Sequence, residues 1–319
     1  MRKIALLSIK PEFANKILFG VKKFEYRKKP FSKDTTHIVL YMTIPVQRIV
    51  GMATVKEIIS APSSILWEMT KKESGITREF YRDYFKGVHT AYAIELNQVT
   101  PFNHWINPQD IIKNFKPPQS FAYMHNDLLN KILNLQESFQ KTRKNLIFFA
   151  GIHGVGKSTF CNKLKKDIGL NNFSTSELIK QGEGNIYIQK EVKNIQTNQD
   201  ILLEALKTLS EENLFLLDGH FCLLKPNQKI EKIPVDIFQK INPKEIILLE
   251  TSAEQIVKRL FSRDKIHYKI SIIKSLLVQE REHALHISKT LHIPLRVITS
   301  KEYPLILKYL MRLLLEKTL

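Results

Sequence analysis

The sequence predicts two unlike domains in tandem: an α+β domain built on a small β-barrel over residues 1–125, and a three-layer α/β domain with a parallel sheet over residues 144–319, joined by a helical linker over 126–143. Three observations lead there. A chain of 319 residues exceeds one ordinary domain and suits two. Up to about Tyr123, short strand-like and helical runs are mixed, the pattern of an α+β fold. From Asn145 onward the runs Leu146–Ala150, Leu214–Leu217 and Ile246–Leu249 are continuously apolar, as strands covered on both faces must be.

Pro11–Phe19 reads as a helix opened by proline and stopped by Gly20, with Phe13, Ile17 and Leu18 on one side. Ile38–Met42 and Ala91–Glu95 read as strands, Ile49–Ile59 as another passing through Gly51, and Glu79–Phe85 as a short helix. Lys116–Phe121, with its two prolines, breaks regular structure, and the polar helical stretch Asn126–Arg143 reads as the linker. The order beyond it is strand, glycine turn, helix, further helix, two strands, two helices, strand, helix.

Charge restricts the partners. The chain has 49 Lys and Arg against 31 Asp and Glu, a net charge of +18. Up to Arg143 the count is 22 basic and 12 acidic, and beyond it 27 and 19, so both halves are basic. Such a surplus favours polyanions, whose phosphates release counterions when neutralised. No apolar run approaches the roughly 20 residues of a membrane span, so no membrane partner is expected. Two cysteines, Cys161 and Cys222, are too few for a disulfide framework, and a cytoplasmic location is expected.

Gly151-Ile-His-Gly-Val-Gly-Lys-Ser158 fits G-x-x-x-x-G-K-[ST], follows an apolar strand and opens a helix running to about Ile168, the context of a P-loop. Gly151, Gly154 and Gly156 let the backbone curl so that the amides of residues through Val155 and Thr159 point at phosphate oxygens, aided by the helix N-terminus. Lys157 is then the point charge on the β- and γ-phosphates of ATP, and Ser158 a ligand of Mg²⁺. Asp218 ends an apolar strand and is a second candidate for the metal. His153 reads as a loop side chain facing solvent.

This half resembles the nucleoside monophosphate kinases, the adenylate kinases above all, within the P-loop NTPases. Phe173–Lys180 is similar to the stretch lining their acceptor site, Leu217–Phe221 to a strand end reading Asp-Gly-Phe-Pro-Arg, and Arg259–Arg263 to the arginine pair opening the lid. The resemblance implies Arg259 and Arg263 as catalytic charges, which four-residue spacing places on one helix face, and Thr175 and Lys180 beside the acceptor. It also shows departures. Lys180 stands where an arginine would grip the acceptor phosphate, and an ammonium cannot form that bidentate fork. His220-Phe221-Cys222 replaces Phe-Pro-Arg, and the lid from Asp264 to Ile270 is very short. Arg281 is a weaker candidate clamp, with Glu280 and Glu282 beside it reading as surface ion-pair partners.

In the first half, Gly20-Val-Lys-Lys-Phe-Glu-Tyr-Arg27 fits G-x-K-x-x-E-x-R, which, with Leu6–Phe13 and Pro117–Phe121, resembles the ASCH domain, a PUA-like barrel presumed to bind RNA. As a strand, Lys23–Arg27 would set Lys23, Glu25 and Arg27 on one face, with Phe24 and Tyr26 inward and Tyr41 also in the core. Lys10, Lys22, Glu25 and Arg27 are the candidate ligand residues for RNA or a nucleotide, extended by Lys28 and Lys29. A hydrolase reading would use Lys22 or Lys23 as base or nucleophile, against which Glu25 favours a protonated lysine.

The combined expectation is an ATP- and Mg²⁺-dependent kinase-like phosphoryl transferase acting on a hydroxyl of a nucleotide, nucleoside or RNA end, with Lys157, Asp218, Arg259 and Arg263 as its catalytic groups. The alternative is an ATP-gated, RNA-binding regulatory ATPase.

Overall fold

In the computed structural model, described for residues 3–140, 144–186, 195–209, 214–225, 228–265 and 267–315, the chain divides into two compact units, Met1–Lys141 and Thr142–Leu319. The first unit comprises β1 (Lys3–Ile9), α1 (Pro11–Leu18), β2 (Phe24–Arg27), β3 (Thr35–Met42), β4 (Arg48–Pro62), α2 (Ser63–Thr70), α3 (Arg78–Tyr84), β5 (Thr90–Ile106), β6 (Phe121–Met124) and α4 (Asn126–Gln140). Its strands form one mixed sheet in the order β2-β5-β4-β3-β1-β6, with β1 and β3 parallel. Along β4 the register shifts at Gly51, where a Cβ would lie 2.7 Å from Leu18 Cδ2 and 2.8 Å from the Thr100 carbonyl oxygen, so only glycine lets the bent strand pass. The sheet curls until Arg27, on the edge strand β2, donates to Ser8 O of β1 at 3.3 Å and to Ser120 Oγ, next to β6, at 3.0 Å. A side chain thus spans the gap between the two ends of the sheet.

Three features were not visible as such in the sequence. The strand predicted over Ala91–Glu95 extends to Ile106, because the polar residues beyond Glu95 hold cross-strand hydrogen bonds to β4. Helix α2 supplies Leu66 and Trp67 to an aromatic cluster with Phe24, Tyr26, Tyr81 and Phe85. The stretch expected to be a linker instead packs on the first unit. Leu128, Ile132 and Leu135 recur at helical spacing, Ile132 is fully buried beside Ile4, Val39 and Phe102, and the Gln136 amide exchanges hydrogen bonds with both backbone groups of His104, at 3.2 and 2.7 Å. Residues 141–143 of that stretch lie outside the described residues. Tyr26 and Tyr41 are core residues, 5% and 2% exposed.

The second unit comprises β7 (Leu146–Ala150), α5 (Lys157–Ile168), β8 (Asn172–Ser174), α6 (Thr175–Ile186), α7 (Ile195–Thr208), β9 (Phe215–Gly219), β10 (Cys222–Leu224), β11 (Ile230–Lys232), α8 (Val235–Ile241), β12 (Glu245–Glu250), α9 (Ala253–Asp264), α10 (Ile270–Leu291), β13 (Leu295–Thr299) and α11 (Tyr303–Leu315). Its main sheet, β13-β12-β7-β9-β8, is entirely parallel, and β7 at its centre is buried at all five positions. The short β8, the antiparallel ribbon β10–β11 and α8 go beyond the predicted order. Both cysteines are free and buried, and among the described residues no helix is long and apolar enough to cross a membrane.

A buried polar cluster joins three elements. Arg296 of β13, 1% exposed, lies 3.1 Å from Glu245 Oε2 of β12, and Tyr309 of α11 donates to that same oxygen at 2.7 Å while accepting from Arg296 at 2.9 Å. Breaking one partner strands the other charge, at a cost of about 3–5 kcal/mol. Arg296→Ala and Arg296→Met both strand the Glu245 carboxylate and should therefore lower the urea midpoint of the second unit to a similar extent. A much smaller loss in Arg296→Met, which keeps the volume, would show in circular-dichroism melts that packing and not charge holds this corner.

Candidate functional site

The parallel register of β7 with β9 sets the site. Ala150 ends β7 and Asp218 lies one strand over, so the loop from Gly151 to Gly156 emerges beside the carboxylate. Gly151 has φ +151° and a Cβ there would meet the Leu249 carbonyl oxygen at 2.6 Å; Gly154 has φ +81° with Leu260 close by at 2.9 Å. The turn requires glycine at both. Gly156 caps α5 in the left-handed region at φ +108°, and Val155 packs inward, 3% exposed. Ser158 and Thr159, in the first turn of α5, line the cleft above the loop.

Lys157 is 8% exposed and donates to Gly151 O at 2.7 Å, with Asp218 Oδ1 at 3.6 Å and His220 Nε2 at 3.5 Å. Burial pulls its pKa below the ordinary lysine value, opposed by Asp218 and Glu280. Burial raises that of Asp218, opposed by Lys157. His220 is held well below the usual histidine range by burial, then by Lys157 and by His153, so its ring is neutral. His153 is exposed as expected, yet its ring also packs on His220 with centroids 4.1 Å apart.

The expected arginine pair separates into two roles. Arg259 Nη1 donates to Val155 O at 2.6 Å and Gly154 O at 3.3 Å, bracing the loop, while Arg263, one turn on, lines the cleft. The cleft measures about 800 Å³ and runs from the loop past Ser174, Thr175 and Ser176 toward α8 and the β10–β11 ribbon. Thr175 lines it. Lys180 on α6 does not; Ile179 faces the cavity instead, because one step along a helix turns a side chain by about 100°. Arg281 pairs through its Nε and Nη2 with Glu250, and so is engaged in a surface fork rather than aimed at the loop.

Glu280 corrects the surface-pairing expectation. It is 2% exposed, and its carboxylate accepts from Phe221 N at 3.0 Å and Cys222 N at 2.6 Å, tying α10 to the backbone that follows Asp218 and His220. The only signal in the sequence was a glutamate within an amphipathic helix, which reads as surface until tertiary packing turns it inward.

In the first unit, Glu25 is 7% exposed and sits between two cations, Arg27 at 2.9 Å and Lys22 at 3.5 Å. Lys22, not Lys23, is the lysine that joins Glu25; it also donates to Phe24 O at 2.5 Å, while Lys23 precedes the strand and pairs with Glu73. Burial pulls the Lys22 pKa down against the pull of Glu25, the reverse of what the charge pair alone suggests. Ser8 and Ser120, which the motif does not single out, complete the Arg27 fork. Lys10, Lys28 and Lys29 are exposed.

Residues 7–100 match the ASCH domain family and residues 150–274 the AAA domain family. An ASCH domain-containing ribonuclease from Zymomonas mobilis is 32% identical over 137 residues, which span 93% of that protein and 42% of this chain. The chain belongs to the ASCH-domain family. Its second half is a P-loop kinase-like domain: an adenylate kinase from Pyrococcus abyssi is 26% identical over 124 residues, 36% of this chain and 63% of that protein. Among solved structures, the ASCH protein of Z. mobilis (32% identity, 42% of this chain and 96% of that one, TM-score 0.39) and a shikimate kinase from Acinetobacter baumannii (15% identity, 57% and 98%, TM-score 0.36) are similar.

The P-loop cleft of this ASCH-family chain suits Mg²⁺ delivered with a triphosphate. Among the described residues no cluster of three or more metal-ligating side chains occurs, and Mg²⁺ at such sites takes one or two protein ligands and fills its shell with phosphates and water. The Ser158 hydroxyl and Asp218 carboxylate both line the cleft and could supply such a donor set.

The Glu280 carboxyl is pushed up to about 7 by burial, against the opposing pull of the Phe221 and Cys222 amides. Between about pH 4.5 and 7 the folded chain holds a proton here that the unfolded chain has released, so this group's contribution to stability falls as pH rises through that window. Relative to Glu280→Gln, the parent should lose on the order of 3 kcal/mol between pH 4.5 and 8 in denaturant melts. Parallel pH curves for the two proteins would refute the assignment.

Proposed function

We propose that the chain is an ATP- and Mg²⁺-dependent phosphotransferase that moves a γ-phosphoryl group to a hydroxyl of a nucleotide, nucleoside or RNA end, while its ASCH module binds RNA or a nucleotide. The observation that carries this is the buried Lys157 facing Asp218 at 3.6 Å on the floor of a cleft that continues well past the phosphate loop. A plain triphosphatase needs no such extension.

The residues divide the work. Loop amides and the α5 N-terminus bind the β- and γ-phosphates, and Lys157 exchanges its contact with Gly151 O for phosphate oxygens. Ser158 and Asp218 would hold Mg²⁺, which supplies charge neutralisation on the phosphates when bound. Arg263 faces the charge that develops on the moving group, and Arg259 keeps the loop in shape. The Pyrococcus relative, an adenylate kinase, supports the reaction type.

For the ASCH module, the name of the Zymomonas relative supports RNA as the ligand and adds cleavage as a second reading. The Lys22, Arg27 and Ser120 cluster favours it, since it gathers a lysine of lowered pKa, a guanidinium and a hydroxyl around one buried carboxylate.

Lys157→Ala removes a buried charged group worth about 2–5 kcal/mol and should weaken ATP binding at least 30-fold in calorimetry with Mg²⁺, leaving RNA binding in nucleotide-free buffer unaltered. Transfer of labelled γ-phosphate to a panel of nucleosides, nucleotides and RNA ends tests the reaction; release of free phosphate alone would leave only an ATPase. Lys28→Ala with Lys29→Ala should flatten the salt dependence of RNA affinity by about 0.7 log units per log unit of salt for each phosphate no longer neutralised. An unchanged slope would place RNA elsewhere.

A further inference from the structure

We infer that the acceptor is an uncharged nucleoside rather than a nucleotide, seated on an apolar wall of the cleft; this rests on the phosphotransferase reading of that cleft. Beyond the phosphate loop the cavity is lined by Ile179 and Leu202 from α6 and α7 and by Leu223, Ile233 and Ile237 from the ribbon and α8. Apolar side chains from two separate parts of the unit therefore border one space, the setting in which a flat ring system loses water on its faces. Leu223 is 37% exposed on a three-residue strand, an apolar group displayed toward the cavity rather than buried in the core.

Charge is arranged against a phosphorylated acceptor. Among the described lining residues this half of the cavity contains no guanidinium, since Arg263 stands on α9 with the arginine that braces the loop. Of the two ribbon lysines at the rim, Lys225 is paired with Glu231 at 3.1 Å, and Lys232 is exposed, where water screens it. A phosphomonoester pressed on the aliphatic wall would lose hydration without receiving the bidentate partner that makes such transfer favourable.

Hydroxyl recognition is present where the reaction requires it. The β8–β9 register sets Ser174 beside Asp218, Ser174 Oγ lies 2.8 Å from Ser176 Oγ, and Thr175 Cγ2 is 3.3 Å from where a Cβ on Gly219 would be. Three hydroxyl side chains thus border the strand end that carries Asp218, matched to the hydroxyls of a sugar. In the step this implies, the nucleoside hydroxyl oxygen forms a bond to the γ-phosphorus of a bound nucleoside triphosphate. The bond from that phosphorus to the β–γ bridging oxygen breaks, the electron pair leaves with the diphosphate, and the hydroxyl proton passes to solvent water. The products are a nucleoside monophosphate and a nucleoside diphosphate.

Calorimetry on the full chain with each of the four ribonucleosides and each corresponding 5′-monophosphate tests this directly. At least one nucleoside should bind ten-fold or more tightly than its own monophosphate, and it should accept label from γ-labelled ATP. Leu223→Glu should weaken that nucleoside ten-fold or more and leave MgATP affinity within two-fold, the latter certifying the fold. Tighter binding of the monophosphate, indifference of the nucleoside to Leu223→Glu, preferential labelling of a 5′-hydroxyl RNA oligonucleotide, or MgATP binding with no nucleoside binding would each overturn the inference alone. Absence of MgATP binding would overturn the phosphotransferase reading itself, and this inference with it.

Discussion

An ammonium group with 8% of its residue exposed cannot sit unpartnered, and the second unit is organised around satisfying the one on Lys157. The Gly151 carbonyl, the Asp218 carboxylate and the His220 ring converge on it from the loop and the adjacent strand. That convergence exists only because β7 and β9 pair in parallel with Ala150 opposite Gly219. Each neighbour offers an interaction that a phosphate oxygen can replace, so the arrangement that stabilises the lysine also leaves it ready for an anionic ligand. Burial moves the proton affinities of lysine and carboxylate toward one another, and each charge offsets part of that shift in the other.

The first unit handles charge differently. Its most basic motif turns inward: Glu25 is enclosed by Lys22 and Arg27, and Arg27 spans the curled sheet to Ser8 and Ser120. A motif residue can therefore hold the barrel and border a ligand at once. Lys10, Lys28 and Lys29 are exposed and contribute, with the other surface cations, to a field that attracts polyanions. Net charge raised the expectation of a polyanionic partner, and the structure divides the first unit's motif cations between interior and surface.

Helix α10 shows how remote elements enter the site. Its Glu280 grips the amides of Phe221 and Cys222, fixing the strand end that carries Asp218 and His220. Helices α9 and α10 thereby reach the cleft on two sides, through Arg259 on the phosphate loop and Glu280 on the amides that follow Asp218 and His220. Apolar side chains from α7, α8 and the ribbon border the cleft beyond the phosphate loop.

By itself the sequence determined what depends on local chemistry: the glycines whose backbone angles form the loop, the unbroken apolar runs that become β7 and β12, the helix between Pro11 and Gly20, and the motifs that mark both units. It also determined the shape of the loop and the start of α5, because backbone angles and helix start follow from residues within one turn of each other. Only the tertiary structure decided which charged side chains face inward and which helices cover which sheets. Lys22 and Lys23, Ile179 and Lys180, and Glu280 and Arg281 are sequence neighbours with different environments, and α4 is a cover rather than a connector. Those outcomes depend on contacts between segments far apart in the chain, where burial and pairing, rather than local preference, set the free energy.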